Sequence, residues 1–147
     1  MSRWLLLLAL LFMFTGCRTI PTGFDPANAG QTLDEAAVGC LNWAWFEKDH
    51  VNEIGTGLYE TDTGYACGQL LVGDPVSVSF LARRLWEAIL HTHTRGQDVM
   101  SKQDMLNARD DPRLRPSYVR FRTGTVKVYE CQKADNGQVT CAGRRVG

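Results

Sequence analysis

His91-Thr-His93-Thr-Arg-Gly-Gln-Asp-Val-Met-Ser101-Lys-Gln-Asp104 follows directly on the apolar run Ala88-Ile89-Leu90 and carries two of the three histidines in the chain. Side chains two apart on a strand point to the same face, so both imidazoles can reach one metal ion. Asp104 supplies a third ligand once the chain turns back. Two histidines and one carboxylate leave the fourth tetrahedral position of zinc open, which is how a catalytic site differs from a closed structural one. The same residues carry a helix-start signal, with Ser101 as N-cap and an acidic residue three positions on. The two roles are compatible. A carboxylate in a first helical turn is held in a fixed direction, and Ser101 at the helix entrance can aim its hydroxyl at the water of such a site.

The pattern His91-x-His93, seven residues, then Ser101-x-x-Asp104 resembles the signature of the JAMM/MPN metallopeptidases, more closely their bacterial JAB-like branch. The resemblance spans roughly residues 32 to 130 in the order and type of elements, and only the zinc motif is specific. It implies an α/β single domain, a mixed β-sheet flanked by helices, of the JAB/MPN-like (cytidine-deaminase-like) kind. It also implies Zn2+ held by His91, His93 and Asp104, and a glutamate on an earlier strand. Val51-Asn-Glu53-Ile-Gly-Thr-Gly57 fits that glutamate. Glu53 is then the general base, ahead of Glu60 and Glu47, with Gly55 and Gly57 leaving room beside it. Ser101 is the donor to the oxyanion. Thr94 stands where many members of the family have proline, which removes no ligand. The implied activity is that of a zinc-dependent peptidase or isopeptidase acting on a peptide or cell-wall peptide. Two other readings stand beside it: a non-catalytic, zinc-stabilised binding or inhibitor lipoprotein of the envelope, and a structural lipoprotein whose histidines bind nothing.

At the start of the chain, Met1-Ser-Arg3 and the apolar stretch Trp4 to Phe14 form a charged n-region and an h-region too short to span a membrane comfortably. Thr15-Gly16-Cys17 resembles the lipobox of bacterial lipoproteins. Residues 1–16 are then a signal peptide, Cys17 the lipidated (palmitate-bearing) residue, residues 17–31 a tether rich in Pro and Gly, and residues 32–147 the domain. An ordinary secretory signal is the competing reading. Arg18, not aspartate, follows Cys17, so the resemblance implies an acyl anchor in the outer membrane, facing the periplasm. The chain has 16 basic and 16 acidic side chains and no basic block, which argues against nucleic acid as a partner. Its length suits one domain with a real core, and nothing in the sequence fixes an oligomeric state.

With Cys17 assigned to lipid, Cys40, Cys67, Cys131 and Cys141 remain, an even number that suits an oxidising compartment. Asn136-Gly137 marks a tight hairpin that sets Cys131 opposite Cys141, leaving Cys40 to pair with Cys67. A four-cysteine zinc site is disfavoured because no close Cys-x-x-Cys pair is present. Thr32 and Glu35 form a capping box for an amphipathic helix reaching about Lys48. Glu53–Glu60 and Tyr65–Val72 read as strands joined around Asp62-Thr-Gly64, and residues 80–86 as a short helix or irregular crossover. Ser101 to about Asp110 reads as a helix, and Ser117–Arg122 with Thr125–Tyr129 as a hairpin. Arg113, Arg115, Arg120 and Arg122 read as a solvated face in preference to a carboxylate-binding patch.

Overall fold

The computed structural model describes residues 25–30, 32–48, 50–79 and 82–147. The expected signal peptide, Cys17 and the first part of the tether lie outside these residues. Among the described residues the elements run, in chain order, β1 (Asp25–Gly30), α1 (Leu33–Trp43), a π-helical turn (Ala44–Lys48), β2 (Ile54–Thr61), β3 (Gly64–Cys67), β4 (Leu71–Val72), β5 (Trp86–His93), α2 (Lys102–Asp110), β6 (Ser117–Phe121), β7 (Val126–Lys133) and β8 (Val139–Arg145). No helix among them is long and apolar enough to cross a membrane.

All strands join one mixed sheet in the order β1-β3-β2-β5-β6-β7-β8, with β4 paired to the start of β2. The β5–β6 pair is parallel and the others are antiparallel. A parallel pair needs a crossover, and α2 supplies it. This is the α/β architecture with a mixed sheet and helices that the sequence led us to expect.

The alternation of β5 divides the molecule into two layers. Ala88 and Leu90 face α1, where Ala36, Ala37, Cys40 and Leu41 close over Leu58, Tyr118, Val126 and Val128. The opposite face, carrying Ile89, His91 and His93, is covered by α2 and its entering loop, through Met100 and Met105 against Val119 and Phe121. Thr32 and Glu35 form the expected capping box. Cys40–Cys67 fastens α1 to β3, and Cys131–Cys141 bridges directly opposed residues of β7 and β8.

Several local expectations shift. Residues 25–30, assigned to the tether, form β1 against β3. The strand expected over Tyr65–Val72 breaks. Leu58 to Thr61 pair with Gly64 to Cys67, yet Gly55 then pairs with Leu71, so one extra residue is absorbed near Gly68 as a bulge. Gly68 donates to the Gly57 carbonyl at 2.9 Å, and the Thr56 hydroxyl donates to the Gln69 carbonyl at 2.9 Å. A Cβ on Gly68 would stand 2.6 Å from the Tyr59 ring. The described part of residues 80–86, Ala82 to Leu85, is irregular up to β5.

The arginine reading also changes. Arg115 is 8% exposed and Arg120 3% exposed, so neither belongs to a solvated face. Arg115 forms a forked pair with buried Asp111, through Nε at 2.7 Å and Nη2 at 2.6 Å. Arg120 donates to Asn42 and lies under Trp45, 4.3 Å from the ring centroid. Arg113, paired with Glu87 at the surface, and Arg122 are exposed as expected.

Candidate metal centre

The site is built where the ends of β5 and β2 meet the first turn of α2. His91 stands opposite Gly55 on β2 and Val119 on β6, so no β2 side chain crowds its imidazole on that side. His93 lies one strand period further, opposite Phe121, whose ring it meets edge-on at 5.4 Å. Between them Thr92 points to the other face and accepts a hydrogen bond from the Ile54 amide at 2.9 Å. That bond holds β2 to β5 just where Glu53 enters.

Asp104 is the N3 residue of α2. Ser101 accepts from the Asp104 amide at 3.0 Å, while the Ser101 amide and hydroxyl donate to Asp104 Oδ2 at 3.0 and 2.6 Å. This is the expected cap, and it leaves the carboxylate facing the sheet. Asp104 Oδ1 lies 3.1 Å from His91 Nε2, Asp104 Oδ2 lies 3.1 Å from His93 Nε2, and the two Nε2 atoms are 3.1 Å apart. The group could hold a metal ion. Ligands set tetrahedrally about 2.0 to 2.1 Å from zinc are about 3.3 Å from one another, close to these separations. The donor chemistry agrees as well. Two ring nitrogens that each carried a proton toward Asp104 would oppose their N–H dipoles across 3.1 Å, whereas one cation satisfies both nitrogens and the carboxylate.

The electrostatics of the cluster's own side chains follow from burial and proximity. Burial raises the Asp104 pKa, but hydrogen bonds from His91, His93 and Ser101 outweigh it and hold the carboxyl well below the usual range. Burial works against a charge on His93, yet the Asp104 hydrogen bond and the nearby Glu53 raise its pKa overall. Glu53 is raised by burial, with the histidines pulling the other way and Asp104 and Asp74 adding to the rise.

Glu53, His91, His93, Ser101 and Asp104 line one cavity of about 1070 Å³. Glu53 is 8% exposed, immediately before β2, and its backbone is fixed by Asp74 and Gly73 through bonds of 2.8 Å each. Glu60 and Glu47 are exposed and do not line this cavity. Gly57 does not serve the purpose expected of it. The Trp86 ring fills the space above it, and a Cβ there would come within 2.0 Å of that ring.

No family model, curated protein or solved structure matches this chain. The site's own geometry therefore carries the functional reading.

The far wall was not legible in the sequence. Val76 to Ser79 form one side, pinned by the Asp74 carboxylate, which accepts from the Val76 and Ser77 amides at 2.8 and 2.9 Å. Thr94 donates to the Pro75 carbonyl at 2.9 Å, tying the histidine loop to that wall. The signal that could have found it is Asp74-Pro75-x-Ser77, which marks a turn and names no partner. Asp98 takes no part in the cluster: its carboxylate accepts from Thr123, and its backbone carbonyl accepts from Lys127.

Proposed function

We propose that this protein is a zinc-dependent hydrolase of a peptide or isopeptide bond, related in fold and chemistry to the JAB/MPN metallopeptidases. The observation that carries the reading is the meeting of His91, His93 and Asp104 with the buried Glu53 in one open cavity. His91, His93 and Asp104 would hold the ion. Zinc bound there supplies a Lewis acid that polarises an amide carbonyl and acidifies a water molecule.

The remaining work falls to the chain. Glu53 accepts the proton of the attacking water and delivers it to the leaving amine nitrogen, so one water and one amide become an acid and an amine. Its burial beside the cluster suits that exchange, because a carboxylate held in a poorly solvated cavity is a better proton acceptor than one in water. Ser101 positions Asp104 and, on releasing Asp104 Oδ2, offers its O–H to the developing oxyanion.

The expected lipid anchor on Cys17 places the domain in the outer membrane, facing the periplasm. Two disulfides suit such an oxidising compartment, and cell-wall peptides or envelope proteins are the substrates found there. A second reading is supported by Asp104 itself. It caps α2 while facing the histidines, so an ion could serve to clamp helix to sheet in a non-catalytic binding module. Metal analysis of the domain without residues 1–17, followed by mass spectrometry of digested wall fragments and envelope proteins, separates the readings. About one zinc per chain with new amine termini supports the hydrolase. Zinc without cleavage of any fragment supports the module, and absence of zinc removes both.

A further inference from the structure

We infer that Arg95 forms a carboxylate-binding subsite at the mouth of the cavity, so that the substrate carries a free carboxylate within about three residues of the bond that is cut. The inference rests on the hydrolase reading and specifies its substrate. Arg95 lines the same cavity as the histidine cluster and is exposed. Among the described residues its guanidinium has no hydrogen-bond or ion-pair partner. Arg115, the other arginine of the cavity wall, is engaged at all three nitrogens by Asp111 and by the Arg83 carbonyl. Arg109 and Arg113, close by on α2 and after it, are paired with Asp110 and Glu87. Arg95 is thus the one arginine of the wall left with its donors free.

Its position sets what it can hold. It stands two positions after His93, with Thr94 between them, a backbone span of at most about 7 Å, and Gly96 turns the chain beside it at φ +82°. One residue of extended substrate spans about 3.5 Å, so a group gripped by Arg95 lies one to three residues from the reacting carbonyl. A planar guanidinium matches a carboxylate through two parallel N–H bonds, whereas an amide or hydroxyl engages only part of that fork. Charge in the cavity agrees. Asp111 is neutralised by Arg115, and an ion on the histidine cluster would offset Asp104 and Glu53, leaving Arg95 as the uncompensated charge at the mouth.

The test is binding, with metal content as the control. Acetyl-trialanine as free acid and as C-terminal amide are titrated against the zinc-loaded domain and against Arg95→Ala and Arg95→Lys. We expect the wild type to prefer the acid by about tenfold, Arg95→Ala to lose the preference, and Arg95→Lys to keep part of it. Zinc content should be the same in all three. Equal preference in wild type and Arg95→Ala would mean that the ion, not Arg95, holds the carboxylate, and would overturn the subsite. Lack of any preference in the wild type, including failure to bind either peptide, overturns it too. Neither result touches the hydrolase reading, which falls instead if zinc or cleavage is absent.

Discussion

Single side chains decide what the cluster does. Glu53→Gln keeps shape and ligands but cannot accept a proton, so zinc content should be unchanged while turnover falls by about 100-fold to 10,000-fold. Glu60→Gln, exposed at the other end of β2, should be near neutral in the same assay. Asp104→Ala should release the ion, whereas Asp98→Ala should retain it, because Asp98 is held by Thr123 away from the cluster. Atomic absorption on the dialysed variants checks both. A pH dependence also follows. The raised His93 pKa means that its contribution to the fold is present below the ordinary value of 6.5 and is lost as pH rises through the raised value. The lowered Asp104 contributes above its ordinary 3.8 and is lost only as pH falls well below that. Protons on His93 therefore compete with zinc, and zinc affinity should begin to fall on acidification already above pH 6.5. Titration with a chelator at stepped pH reads this directly.

At the scale of elements, α2 is both a helix and a ligand carrier. Ser101→Ala removes the hydroxyl that accepts from the Asp104 amide and donates to its carboxylate. The expected cost is about 1 kcal/mol in thermal unfolding together with a roughly 10-fold to 100-fold weaker hold on zinc, since groups that orient a ligand typically matter that much. Ser101→Thr should restore most of both. On β2, Gly57 is required by Trp86, not by the site. Gly57→Ala should destabilise the domain by about 1 to 3 kcal/mol or more through overpacking and leave the zinc stoichiometry of the folded fraction unchanged. Calorimetry with metal analysis of the folded fraction separates these two outcomes.

Over the whole molecule, two crosslinks hold parts of different reach. Cys131–Cys141 closes 10 residues within one hairpin, and Cys40–Cys67 closes 27 while fastening α1 across the sheet. On the loop-entropy account these are worth roughly 2.7 and 3.6 kcal/mol. Removing the longer bridge, by Cys40→Ala with Cys67→Ala, should therefore lower stability more than removing the shorter one, beyond the packing change at the buried Cys40 and Cys67. Denaturant unfolding of the two double variants gives the order. The buried Asp111–Arg115 pair joins the end of α2 to the chain entering β6, and Asp111→Asn should cost about 3 to 5 kcal/mol by leaving a buried guanidinium without its counter-charge.

What the sequence determined by itself were the features set by short periods. His91 and His93 share a face because a strand repeats every two residues, and Ser101 meets Asp104 because a helix start repeats every three to four. Asn136-Gly137 turned the last hairpin and set Cys131 against Cys141. Tertiary structure alone decided the rest. Whether Glu53 or Glu60 faced the histidines depended on the register of β2 against β5, a non-local pairing in which a one-residue slip reverses every side chain. The bulge near Gly68, the seating of Trp86 over Gly57 and the burial of Arg115 on Asp111 arise between segments distant in the chain or from close packing. The wall from Val76 to Ser79 is joined to the histidine loop through Thr94 and Pro75, and Arg95 lines the cavity beside it. Local patterns carry no record of such meetings, because nothing in a short window of sequence encodes which distant backbone will arrive beside it.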